Sequence, residues 1–207
     1  HSFPTRRSSD LELSAGAVIV NDPRLADRVY FVQNALGGIL SPEGANELAR
    51  GIKTLGIRLD RQIENLVEVV KFLETRPEVQ RVYYPGLPGH EGYEELRQEA
   101  KGAGAVLSFE LSGAVDPVAF VNGLRLFTRA VSLGAVESLV ELPSKMSHAE
   151  LTAEEQLAAG IKPGLIRLAI GIEDVTDLIE DLAQALDQAE LVTTKGSVED
   201  DQTTAIN

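Results

Sequence analysis

Apolar positions recur along this chain at two different spacings, and the change from one to the other divides it. Leu48, Ile52, Leu55, Leu59, Ile63, Leu66, Val70 and Leu73 follow one another three or four residues apart, which lines one face of a continuous helix. Ser41-Pro42 opens it: the serine caps an orphan backbone N–H, and the proline suits the first helical position. Pro77 closes it near Arg76, because a proline ring disfavours helix in the residue before it. At about 1.5 Å per residue such a helix is about 50 Å long, more than one small domain needs, so it is expected to bridge two. A coiled coil is the weaker reading, because the surrounding pattern is mixed α/β.

Ahead of this helix, SAGAVIV at 14–20 is a run of small and β-branched residues bounded by Asn21-Asp22-Pro23, which predicts a buried strand of a parallel sheet. A helix over 24–36 follows, closed by Gly37-Gly38. Beyond Pro77 the elements become short. Strands are predicted at 79–84, 105–111, 127–132 and 165–170, and helices near 93–101, 116–124, 153–159 and 174–188. Asp116 caps the second of these helices ahead of Pro117, and the last carries Val175, Leu178, Ile179, Leu182 and Leu186 on one stripe. Strands alternating with helices give an α/β module with a roughly four-stranded sheet. Residues 191–207 show no periodicity and are expected to be disordered.

Residues 1–11, HSFPTRRSSDL, are basic and serine-rich, lack an initiator methionine and lead into no apolar core of a signal peptide. They read as an adapter artefact, with the natural chain expected to begin further upstream. The 207 residues, 43% of them hydrophobic, suffice for a real core. A net charge of −13 without a basic patch argues against nucleic acid. No apolar run reaches the roughly 18 residues of a membrane span, which points to a soluble chain. The absence of cysteine removes disulfides and thiol chemistry and fits the cytoplasm. His1, His90 and His148 stand far apart in no ligand pattern, so a metal site is not expected.

Two residues stand out chemically. Arg167 lies in LIRLAI, where strand alternation puts it on the face of Leu165 and Ala169. A guanidinium there needs an anion, either a local carboxylate in a salt bridge or a substrate carboxylate gripped bidentately. Ser132, in AVSLGAVES, is either a turn former or a hydroxyl presented to a ligand. Glu137, Ser138 and Glu141 read as a solvated face, and the stretch from Ser144 to His148 as a polar loop. Lys53, Lys71, Lys101, Lys145, Lys162 and Lys195 all lie among polar residues, unlike a desolvated nucleophile.

In order and spacing, LGGILSPEGANELARGIKTLGIRLDRQIENL, VYYPGLPGH, GAVLSFEL, AVSLGAVESLVELPSKMSHA and LIRLAIGIEDVTDLIEDL resemble the carboxyl-terminal part of the transsulfuration enzymes. That family includes cystathionine γ-synthase, cystathionine lyases, methionine γ-lyase and O-acetylhomoserine sulfhydrylase, which use pyridoxal 5′-phosphate (PLP) on the aminotransferase-like fold, fold type I. The resemblance covers about residues 14–190. It implies residues 12–60 as the end of the PLP-binding large domain with the interdomain helix, and 61–190 as the small carboxyl-terminal α/β domain. It also implies PLP as cofactor, small sulfur amino acids as substrates, elimination or replacement at Cγ, and a homo-oligomer built as a dimer of dimers.

For single residues the resemblance implies that Arg167 binds the substrate α-carboxylate, that Ser132 helps to hold it, and that Ser147 supplies a supporting hydroxyl where the family often has threonine. Ala135 replaces the second glycine of the family's S-L-G-G, and Val131 is similar to the apolar residue of methionine γ-lyases. The family's K-x-x-x-G-H-x-D segment, with the lysine that binds PLP, has no counterpart here. The fragment alone is therefore expected to be inactive. The rival reading is a non-catalytic α/β binding or dimerisation module in which Arg167 and Ser132 are structural.

Overall fold

The structure, a computed structural model, describes residues 15–202, with side chains through Ala189. The chain divides between Ile57 and Arg58 into two compact units. In the described part of the first, residues 15–20 have no regular structure, with Val18 and Ile19 exposed, where the sequence predicts a buried strand. An extended run becomes a strand only when neighbours take its backbone N–H and C=O groups, and the sheet contains no strand from this unit.

Helix α1 (Pro23–Leu36) forms as predicted. Asp22 caps it by accepting from the Arg24 amide at 2.9 Å, and Gly37 ends it at φ 68°, a left-handed conformation that glycine adopts without a Cβ penalty. The long helix is interrupted. Helix α2 (Pro42–Lys53) starts where Ser41 Oγ accepts from the Gly44 amide at 3.1 Å, and stops at Thr54; α3 (Leu55–Thr75) follows directly. The β-branched Thr54 lies between Gly51 and Gly56, and glycine is the weakest helix former after proline. Leu48, Ile52, Leu55 and Leu59 are exposed, so the apolar stripe is a core face only over its second half.

The second unit begins in α3 and continues through β1 (Val79–Tyr83), α4 (Tyr93–Glu99), β2 (Val106–Leu111), α5 (Pro117–Gly123), β3 (Thr128–Arg129), β4 (Leu139–Glu141), α6 (Ala153–Ala158), β5 (Leu165–Ala169) and α7 (Val175–Gln202). Its sheet has five strands in the order β1-β2-β5-β4-β3, one more than expected. All pairs are antiparallel except β3 with β4. The added strand is β4, three residues long, which leave too little alternation to register as a strand in isolation. β3 stops at Arg129, so Ser132 lies in the following loop rather than at a strand end.

Alternation sorts the two faces of the sheet. Leu107, Phe109 and Leu111 of β2, Ile166 and Leu168 of β5 and Val140 of β4 join Leu66, Val69, Val70 and Leu73 of α3, Phe120 and Val121 of α5, and Leu178, Leu182 and Leu186 of α7 in one core. Phe109 and Phe120 meet edge to face, centroids 5.9 Å apart, the arrangement aromatic quadrupoles favour. Asp181 of α7, buried among these residues, accepts from the amides of Arg125, Leu126 and Phe127 and so leads the chain into β3.

Two expectations about the end of the chain change. α7 runs to Gln202 instead of stopping near 188, so the backbone of 191–202 is helical rather than disordered. Adding residues to a helix already nucleated by a packed stripe costs far less than starting one. The remainder of the expected tail, 203–207, and the adapter-like residues 1–11 lie outside the described residues. Among the described residues no helix is long and apolar enough to cross a membrane.

Candidate functional site

The face of the sheet turned away from the core carries a polar row. Across β2, β5 and β4 the register sets Ser108 opposite Arg167 and Arg167 opposite Glu141. Arg167 Nη2 lies 2.6 Å from Glu141 Oε2 and donates to the Ser132 carbonyl oxygen at 2.9 Å. The other oxygen of Glu141, Oε1, accepts from the Ser147 amide at 3.3 Å. The three residues singled out in the sequence, Ser132, Ser147 and Arg167, are thus brought together around a fourth.

That fourth residue, Glu141, is 0% exposed, where the sequence suggests a solvated face. β4 sits between β3 and β5, and on its face of the sheet Glu141 is enclosed with the Arg167 guanidinium and the Ser147 amide as its polar neighbours. Arg167 and Ser132 therefore come from β5 and from the loop after β3, with β4 between those two strands. The groups facing each other also differ from expectation. Ser132 offers Arg167 its carbonyl, and among the described residues its hydroxyl has no hydrogen-bond partner. Ser147 contributes its amide, while its hydroxyl lies 2.7 Å from His148 Nδ1. Of the guanidinium nitrogens, Nη2 alone has a partner among the described residues.

The loop that carries Ser132 is tied down at several points. Gly134 turns it at φ 83°, so Ala135 in place of a second glycine does not carry the left-handed position. Ala135 O accepts from Gln62 Nε2 at 2.6 Å, and Val136 O accepts from the Ile172 amide at 2.8 Å. The Glu173 carboxylate accepts from the Ser138 amide at 2.6 Å and from the Ser138 hydroxyl at 3.0 Å. Ser138 Oγ in turn accepts from the Gly171 amide at 2.9 Å. Ser138 is buried, where the sequence suggested a solvated face. Asn65 Nδ2 donates to the carbonyls of Gly171 and Glu173 at 3.1 and 2.9 Å. Sequence reasoning missed Gln62, Asn65, Ser138, Glu141 and Glu173. The one signal was Gln62 and Asn65 at helical spacing with Val69 and Leu73, polar residues inside an apolar stripe.

Further along the same face, Glu110 of β2 accepts from Tyr83 Oη and from Lys162 Nζ, the latter at 2.8 Å. Burial pushes the Glu110 carboxyl up, but the hydrogen bonds from Lys162 and Tyr83 outweigh it and leave it below its ordinary value. The hydrogen bond to Glu110 raises Tyr83, and the same carboxylate raises Lys162.

These residues fit a carboxylate better than they fit PLP itself. A covalently bound pyridoxal group needs a lysine amine that burial or neighbours can leave unprotonated. Lys53, Lys101 and Lys145 are exposed, and Lys71 and Lys162 are exposed and paired with Glu68 and Glu110; the Lys195 side chain lies outside the described residues. None of the described lysines fits that role.

Residues 10–187 match the family model described as Cys/Met metabolism PLP-dependent enzyme. The cystathionine gamma-lyase of Bacillus subtilis (strain 168) is 42% identical over 187 residues, 90% of this chain and 49% of that protein. The L-methionine gamma-lyase of Fusobacterium nucleatum subsp. polymorphum is 43% identical over 191 residues, 91% of this chain and 48% of its own length. Among solved structures, the cystathionine gamma-lyase of Lactobacillus plantarum complexed with L-serine superposes with a TM-score of 0.79 at 37% identity, over 83% of this chain and 45% of that one. The cystathionine gamma synthase of Xanthomonas oryzae pv. oryzae in complex with cystathionine gives 0.76 at 45% identity, over 82% and 44%. The chain spans about half the length of the curated relatives it matches.

Proposed function

The chain belongs to the family of Cys/Met metabolism PLP-dependent enzymes, and within it we propose that this part of the fold holds the α-carboxylate of a sulfur amino acid through Arg167. The observation that carries the reading is the division of the guanidinium: Nη2 is anchored by Glu141 and the Ser132 carbonyl, while Nε and Nη1 have no partner among the described residues. A guanidinium aimed in this way offers charged N–H donors to a carboxylate, the pairing for which its geometry is best suited. On this reading the Ser132 hydroxyl, which has no hydrogen-bond partner among the described residues, is a further donor for the carboxylate. Glu141 holds the arginine through Oε2 and accepts from the Ser147 amide through Oε1, so both of its oxygens are engaged.

The substrates proposed are methionine, cystathionine or O-acyl-homoserine, with cleavage or replacement of the Cγ substituent. Val131, 43% exposed next to Ser132, gives the neighbourhood an apolar wall and favours an uncharged side chain. PLP would be held by residues outside those described. This chain's share is orientation, which raises rate by fixing the reacting groups in place.

A specific observation favours a second, purely structural reading: the 2.6 Å ion pair already gives Arg167 an anion. The two readings separate in a polypeptide carrying the whole family fold. Removing the arginine and neutralising its partner together, Arg167→Met with Glu141→Gln, leaves no unpaired charge. Under the proposal KM for the amino acid rises by about 10- to 100-fold, the equivalent of a charge-assisted hydrogen bond of about 1.5–3 kcal/mol. An unchanged KM in the folded, cofactor-loaded double variant would retire Arg167 as the carboxylate anchor.

A further inference from the structure

We propose that Gln62 is a positioning residue for this site, a deepening that rests on the carboxylate-binding reading above. The site's two arms differ in how they are fixed. Arg167 sits within β5, paired on both sides by β2 and β4, so its backbone is held by the sheet. Ser132 has no such support, because it lies between the end of β3 and the start of β4.

What holds the Ser132 loop is α3. Gln62, 5% exposed on that helix, donates to the Ala135 carbonyl at 2.6 Å, three residues past Ser132 and just beyond the turn at Gly134. Asn65, three residues further along α3, donates to the carbonyls of Gly171 and Glu173. The segment containing them grips the far end of the same loop through Ile172 to Val136 and Glu173 to Ser138. One face of one helix therefore fixes both the near and the far part of the loop. The Ser132 carbonyl is the group that loop presents to Arg167 Nη2.

Loss of the Gln62 donor leaves a carbonyl in a largely enclosed place without its partner. The cheapest relief is movement of the Leu133–Val136 turn, which carries Ser132 with it. The Ser132 carbonyl then no longer aims Nη2, and Nε and Nη1 lose their fixed direction with it. The effect should fall on substrate binding, while the sheet, with its own ladder of hydrogen bonds, stays intact.

The test uses a polypeptide carrying the whole family fold, with Gln62→Met, which keeps length and removes the donor, and Gln62→Lys, which restores a donor. The first readout is hydrogen exchange of the amides from Val131 to Ser138; the second is KM and kcat for the amino-acid substrate. In Gln62→Met, exchange in this segment is expected to quicken by about 10-fold and KM to rise about 3- to 10-fold, the size of one ordinary hydrogen bond, with kcat within about twofold. Gln62→Lys should return both toward the parent. If Gln62→Met does not fold, Gln62→Glu, which sets an acceptor against the carbonyl, should show the same two changes.

Unchanged exchange overturns the proposal, as does quickened exchange with an unchanged KM, or a failure of lysine to restore either. Arg167→Met with Glu141→Gln in the same protein keeps the two claims apart. If that variant leaves KM alone, the carboxylate reading fails, whereas the exchange arm still decides whether Gln62 holds the loop.

Discussion

Arg167 and Glu141 face each other across β5 and β4 with Nη2 2.6 Å from Oε2, and no aligned hydrogen bond joins them. The contact is a close ion pair whose strength is mainly coulombic. Its two ends differ in setting: the Glu141 side chain is 1% exposed and that of Arg167 24%. Breaking a buried pair from one side costs more than the pair is worth, because the survivor is left charged without a partner.

Glu141→Gln should therefore destabilise the protein. A fully buried pair broken from one side costs about 3–5 kcal/mol; with Arg167 a quarter exposed to water, about 2 kcal/mol is expected. Urea unfolding measures it, and a midpoint equal to the parent's would show that the pair contributes nothing to folding.

Gly171→Ala should do damage of a different kind. A Cβ at this position would run into the Val136 carbonyl oxygen, the Glu137 backbone carbon and the Glu173 carboxylate. Two of these are backbone held by the loop's own hydrogen bonds, so the added methyl cannot be absorbed by turning a side chain. The loss should reach or exceed the about 1–3 kcal/mol of an overpacked core. Thermal unfolding together with hydrogen exchange at Ser138 would check it; a parent-like Tm would mean that the close approach relaxes freely.

The Glu110–Lys162 pair should leave a signature in the pH dependence of stability. Glu110 is held below its ordinary value of 4.5, so its contribution is present above that value and is lost as pH falls through the lowered one. Lys162 is raised above 10.5, so its contribution is complete below that value and is lost as pH rises through the raised one. Lys162→Met should thus lower the Tm across the neutral range and converge on the parent at both extremes. A Tm difference that does not change with pH would show that the lysine acts through packing alone.

Much of this fold was legible in the chain because the relevant signals are local. Asp22, Ser41 and Asp116 cap the helices that follow them, Gly37 ends α1, and alternation in 106–111 and 165–169 marks which side of each strand meets the core. These choices depend on neighbours within a few residues, where sterics and orphan backbone groups decide the outcome. The same alternation put Arg167 on the face of Leu165 and Ala169, and the structure shows that this face is the one turned away from the core.

The sequence by itself thus determined the caps, the inward faces of β2 and β5, and the family the chain resembles. Only the tertiary structure decided that Glu141 is buried, that Ser132 turns its carbonyl rather than its hydroxyl to Arg167, that 15–20 stays unpaired, and that Gln62 and Asn65 reach across to other segments. Each of these depends on which strand or helix lies alongside. Gln62 finds Ala135 at a separation of 73 residues, and Asn65 finds Gly171 at 106. Whether a polar side chain lies in water or among buried hydrogen bonds is settled by the element packed over it, and nothing in its immediate neighbours specifies that element.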